Sequence, residues 1–178
     1  TGKSFLLTNY AASQLEAGRI NKIIYVPNNA EVRDSRGMGY LPGDLYEKNM
    51  AYMGTITDMF SQLTLDSMIS KEQFEIAPLS TMRGRSFTNS IVIVNEAQNL
   101  TEDHVKLLIG RIGEGTRIFF DGDLKQADSP VYKERSGLKL LLKLKDSPEY
   151  APIFGSVKLL KGERSFTACA ADYLDSIV

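Results

Sequence analysis

Short apolar runs alternate with stretches of helical period along most of this chain. Lys22 to Val26 (KIIYV), Phe74 to Pro78 (FEIAP), Ser90 to Val94 (SIVIV), Thr116 to Phe120 (TRIFF) and Ser156 to Leu160 (SVKLL) read as strands. They are rich in β-branched and aromatic residues and too short for helices. SIVIV is the clearest of them, too apolar to face water on either side. A helix is predicted from Lys3 to about Ala17, where Phe5, Leu6, Tyr10, Ala11 and Leu15 recur at helical spacing and Gly18 supplies the C-terminal cap. A second helix is expected from Leu45 to about Ile69, with Met50, Met53, Met59 and Leu63 in packing roles. Thr101 can cap a third, with Glu102 and Asp103 in its first turn and Gly113 beyond its end. Ser136 to Lys145 and Phe166 to Ile177 are further helices. Residues 28–44 are polar and rich in Gly and Asn, a long loop of the kind that is often functional.

Strands that alternate with helices argue for an α/β fold, a mostly parallel sheet flanked by helices on both faces. Such sheets bind ligands just beyond the carboxyl ends of their strands. The chain has 178 residues, enough for one domain with a sizeable core. Its net charge of -1 gives no global sign of nucleic acid, so any basic surface must be local. One Cys and one His argue against a zinc site or a Cys-His nucleophile, and no disulfide can form within the chain. No apolar run approaches the roughly 20 residues of a membrane span, and no signal-peptide pattern is visible, so a cytoplasmic location is expected.

The candidate chemistry sits where the fold would put it. Thr1-Gly2-Lys3-Ser4 opens the first helix. In a P-loop, backbone N–H groups and the helix N-terminus cradle phosphates, the Lys reaches the β- and γ-phosphates, and the Ser hydroxyl binds Mg²⁺. The complete pattern needs a further glycine upstream of Gly2, and the tripeptide alone also arises by chance. Asn95-Glu96-Ala97-Gln98 follows SIVIV directly, as a Walker B segment would. There Asn95 would stand in the Mg²⁺ shell, Glu96 would orient or deprotonate water, and Gln98 would sense the γ-phosphate. A polar strand end that only caps the sheet is the plain alternative. Asp121-Gly122-Asp123-Leu124-Lys125-Gln126 follows TRIFF, and Asp123 and Gln126 could face the same phosphates. Asp and Gly also favour ordinary turns. Arg83, Arg85 and Arg164 are candidate phosphate partners, since guanidinium pairs well with phosphate. Lys139, Lys143 and Lys145 read as a solvated face, His104 as a helix-surface residue, and Cys169 as a packed thiol.

On these segments the chain resembles the PhoH-like family of P-loop ATPases, related to the first superfamily of helicases. The matching stretches are Thr1-Gly2-Lys3-Ser4, Gly39-Tyr40-Leu41-Pro42-Gly43-Asp44-Leu45-Tyr46-Glu47-Lys48, Glu75-Ile76-Ala77-Pro78-Leu79 and Met82-Arg83-Gly84-Arg85. They continue with Asn95-Glu96-Ala97-Gln98-Asn99, Gly122-Asp123-Leu124-Lys125-Gln126 and Ser136-Gly137-Leu138. The resemblance implies a three-layer P-loop NTPase fold, forming a single domain over residues 1–178 that lacks its first strand and the first half of the P-loop. It implies ATP and Mg²⁺ as cofactors and a homo-oligomeric ring, often a hexamer, in which Arg164 would reach a neighbour's γ-phosphate. It also implies RNA-linked activity. The family motif reads Asp-Glu-Ala-Gln, whereas here Asn95 takes the first place, and a neutral amide is a weaker partner for Mg²⁺. The expected function is Mg²⁺-dependent ATP hydrolysis, coupled to RNA binding or unwinding. The alternative is a nucleotide-dependent assembly module with little hydrolysis.

Overall fold

The structure, a computed structural model, describes residues 2–28, 56–57, 60–159 and Ala170. The expected features at Thr1, over 29–55, at Arg164 and Cys169 and in the C-terminal helix lie outside the described residues.

Its centre is a four-stranded, all-parallel sheet. The strands are β1 (Lys22–Val26), β2 (Phe74–Ile76), β3 (Ser90–Val94) and β4 (Arg117–Phe120), in the order β2-β1-β3-β4. Every residue of β3 is buried, because helices cover both faces and leave no polar side for alternation to record. The helices are α1 (Lys3–Glu16), α2 (Gln62–Ser70), α3 (Glu102–Ile109), α4 (Pro130–Glu134) and α5 (Gly137–Leu142). Ala11 of α1, with Leu65 and Met68 of α2, packs against Ile23, Tyr25, Ile91 and Ile93 on one face. Val105 and Leu108 of α3, with Leu141 of α5, pack against Ile24, Val26, Val92 and Val94 on the other. This is the expected three-layer α/β arrangement. Each such buried aliphatic side chain is worth roughly 1.5–3 kcal/mol of transfer free energy. Among the described residues no helix is long and apolar enough to cross a membrane.

Several expectations need correction. The helix expected to run unbroken to Ile69 is interrupted at Ser61, whose extended backbone (φ -60°, ψ 147°) starts α2 afresh and whose hydroxyl accepts from the Thr64 N–H. Leu63, expected to pack, is 83% exposed, and Ile56, Leu65 and Met68 are buried instead. In α1 the buried positions are Thr8, Ala11 and Gln14, while Phe5 and Leu6 stand out from the surface. Ser156–Leu159 forms no strand: Val157 is 88% exposed, and among the described residues no strand pairs with this segment. By contrast α3 ends at Ile109 with Gly110 as its C-cap, and Gly113 lies beyond it, as expected. His104 is half-buried in a capping box, its N–H donating to Thr101 Oγ1 and its Nδ1 accepting from the Thr101 N–H.

Candidate nucleotide site

The strands are parallel and in register at their ends, with Val26 beside Val94 and Val94 beside Phe120. Asn28, Asn95 and Asp121 therefore emerge along one edge. The ladder continues one residue further: the Asn95 N–H donates to the Val26 carbonyl (3.1 Å), and the Asp121 N–H to the Val94 carbonyl (2.9 Å). Both side chains thus start from rigid backbone.

The N-terminus of α1 opens onto this edge. Gly2 supplies a left-handed entry (φ 80°), which a residue with a Cβ adopts only with strain. No side chain caps α1, and its first turn carries no acid. Its leading N–H groups are the kind of helix-end donors that phosphates occupy. Ser4 reaches across to the strand ends. Its Oγ donates to Asp121 Oδ2 and lies 3.5 Å from Asn95 Oδ1. One hydroxyl carries one proton, and the carboxylate takes it.

Asp121 is only 4% exposed. A buried carboxylate must be compensated. Ser4 serves one oxygen, and Lys3 Nζ stands 3.6 Å from the other, Oδ1. Oδ1 accepts no hydrogen bond. Asp121, which carries no role in the expected site, is thus its most deeply set charge. The available signal was its position, the first residue after an apolar strand, equivalent to Asn95 after β3. Tyr25, near the end of β1, is a second unanticipated neighbour. Burial, together with the negative charges of Asp121 and Glu96, pushes its phenol up to about 12, against a hydrogen bond to Asn95 that lowers it.

Glu96 is exposed and held in the left-handed region (φ 50°, ψ 45°), uncommon for a residue with a side chain. Three contacts keep it there or aim it. The Asn28 side chain donates to the Glu96 carbonyl (3.0 Å), the Asn99 N–H donates to the same carbonyl (3.0 Å), and Gln98 Nε2 donates to the Glu96 carboxylate. Buried Gln98 also accepts from the Asp123 N–H (3.1 Å), so it ties the turn after β3 to the turn after β4. Gly122 permits this approach, since a Cβ there would meet the Gln98 N at 2.9 Å and its Oε1 at 3.0 Å.

The other expected residues are placed differently. The Asp123 carboxylate accepts from the Lys125 N–H (3.0 Å) and caps a turn, and Gln126 is exposed in that turn. Arg83 is exposed beside Gly84. Arg85 pairs with Glu75 (2.6 Å) and stacks on Phe87, in a group that includes Lys22, the first residue of β1. That group lies toward the amino-terminal end of the sheet, away from Ser4. Lys139, Lys143 and Lys145 are exposed, in keeping with a solvated face.

Comparison with known proteins agrees with this architecture. The family described as PhoH-like protein matches residues 1–156. Among curated proteins, the chain is 37% identical over 184 residues to the protein PhoH2 of Bacillus subtilis, covering 98% of this chain and 41% of that protein. It is 33% identical over 144 residues to a PhoH-like protein of Synechocystis, covering 79% of this chain and 43% of the relative. It is 34% identical over 137 residues to the protein PhoH of Escherichia coli, covering 72% and 38%. The chain thus spans about two fifths of the length of these relatives. The chain belongs to the PhoH-like family.

Proposed function

We propose that this segment binds ATP with Mg²⁺ and hydrolyses it. The observation that carries the reading is the meeting of Lys3 and Ser4, at an uncapped helix N-terminus, with Asn95, Glu96 and Asp121 at the carboxyl edge of a parallel sheet. In this reading the N–H groups of α1 and the Lys3 ammonium hold the phosphates. Ser4 and Asn95 supply oxygens to the cation's surroundings. Among the described residues no three carboxylate, His or Cys side chains converge. This fits Mg²⁺, which is held by one or two protein ligands plus phosphate oxygens. When bound, Mg²⁺ neutralises charge between the β- and γ-phosphates. Glu96 orients the attacking water and accepts its proton, with Gln98 fixing the carboxylate. The supporting features for Glu96 are its exposure, its left-handed backbone and its Gln98 tether. Ring assembly with Arg164 acting in trans, and contact with RNA, belong to the same proposal.

Glu96→Gln in the full chain tests the assignment. Turnover should fall by about a hundredfold or more, with ATP still bound. Equal turnover in the two proteins would remove Glu96 from the mechanism. A second reading, a nucleotide-dependent assembly module with little hydrolysis, is favoured by the neutral amide of Asn95. Tight ATP binding with no turnover in either the parent or Asn95→Asp would select it.

A further inference from the structure

We propose that the carboxylate serving the nucleotide-bound divalent cation in this protein is Asp121, at the end of β4, rather than a side chain at the end of β3. The inference rests on the nucleotide-site reading above and assigns its acid.

β3 ends in Asn95, which carries no charge and approaches Ser4 only at 3.5 Å. β4 is followed by Asp121, whose carboxylate accepts the hydrogen bond of the Ser4 hydroxyl. Of the two, only Asp121 brings negative charge to the hydroxyl that would contact the cation. Its burial is nearly complete, yet among the described residues nothing donates a hydrogen bond to Oδ1, and the Lys3 ammonium stands 3.6 Å from it. An almost fully buried carboxylate oxygen without a donor is a costly arrangement for a purely structural residue. It is what a site awaiting a second cation would keep. Lys3 is partly exposed and its side chain is long, so it is free to turn toward phosphate when nucleotide arrives. Asp121 would then lose its cationic partner, and a divalent cation beside Ser4 would replace it. The rigid start of the side chain, fixed by the Asp121 N–H to Val94 carbonyl bond and the Ala97 N–H to Asp121 carbonyl bond (2.7 Å), suits a ligand that must not move.

The test is equilibrium binding of a fluorescent ADP to the full chain, with and without Mg²⁺, together with Mn²⁺ binding followed by electron paramagnetic resonance in the presence of ADP. Asp121→Asn should weaken Mn²⁺ binding by about ten- to a hundredfold and abolish the gain that Mg²⁺ gives to ADP binding. The exchange variant, Asn95→Asp with Asp121→Asn, should recover much of that gain, because it returns a carboxylate to Ser4 from the adjacent strand. Asp121→Ser replaces Asp121→Asn if the latter does not fold. If wild type responds to Mg²⁺ and the Asp121 variants respond equally, the inference is overturned while the nucleotide site stands. If wild-type ADP binding ignores Mg²⁺, or ADP does not bind, both fall together.

Discussion

The two ends of the same sheet both carry charged side chains and arrange them differently. At the amino-terminal end Glu75 accepts from Arg85 at 2.6 Å and from Lys22 at 3.3 Å, and the Arg85 guanidinium lies 4.7 Å from the Phe87 ring centroid. Glu75, Arg85 and Lys22 thus pair with one another, while the neighbouring Arg111, whose Nη1 donates to the Arg85 carbonyl, keeps a buried Nε without a partner among the described residues. At the carboxyl end Asp121 keeps an oxygen without a donor, Glu96 sits in a strained backbone region, and α1 begins without a cap. In the proposed reading the difference separates charge that holds the fold from charge that is kept for a ligand. Burial alone does not separate them, since Glu75 is about as shielded as Lys3.

The largest effect that sharpens this contrast is expected from Gly122→Ala. Its Cβ would press on the Gln98 backbone and amide and lie 3.1 Å from Leu138. Stability should fall by about 1–3 kcal/mol, read by thermal or urea unfolding. Turnover should fall as well, because Gln98 is the tether of Glu96. Unchanged stability would mean that the two turns are not in close contact.

The amino-terminal group predicts a smaller effect with a defined pH dependence. Burial raises the Glu75 carboxyl, but its bonds to Arg85 and Lys22 outweigh this and hold it below the ordinary value. A lowered folded value means that this stability is present above the ordinary Glu range and is lost as pH falls through the folded value. Arg85→Ala should cost on the order of 1 kcal/mol at neutral pH. The gap between the unfolding curves of the two proteins should close as the solution is acidified. A gap that widens in acid would contradict the pairing.

The smallest effect is at the alkaline end. Tyr25 is raised from 10.0 to about 12, so its contribution is complete below about pH 10 and is lost as pH rises through about 12. An ultraviolet titration should show a late phenol that Tyr25→Phe removes. Loss of the Asp121 charge should bring that phenol down.

Much of the fold was legible because β3 and β1 are buried on both faces and leave continuous apolar runs. The N-cap at Thr101 marked α3 just as plainly. The break at Ser61 was hidden because the residues around it keep helical composition, and only its hydroxyl, turned back to the Thr64 N–H, ends one element and begins the next. SVKLL has strand composition, but a strand exists only where a neighbour pairs with it, and composition does not record neighbours. The site was legible as a place: each expected motif at a strand's carboxyl end lies there. Its division of labour was not. Asp121 and Asp123 share one turn-rich run and differ in sequence only by their distance from the strand, yet one stays with the ladder and faces Ser4 while the other accepts from the Lys125 N–H. Arg85 has a phosphate-binding side chain, but its pairing with Glu75 and its stacking on Phe87 decide its position.

The most direct test of the contrast is ATP affinity, measured by calorimetry with Mg²⁺ on the full chain carrying either Lys3→Ala or Arg85→Ala. Lys3→Ala should weaken binding by about tenfold or more, since it removes a cation from the phosphates. Arg85→Ala should leave the affinity within about twofold of wild type, since its effect is confined to stability. Equal losses in the two variants, or a larger loss from Arg85→Ala, would contradict the placement of the nucleotide at the carboxyl end of the sheet.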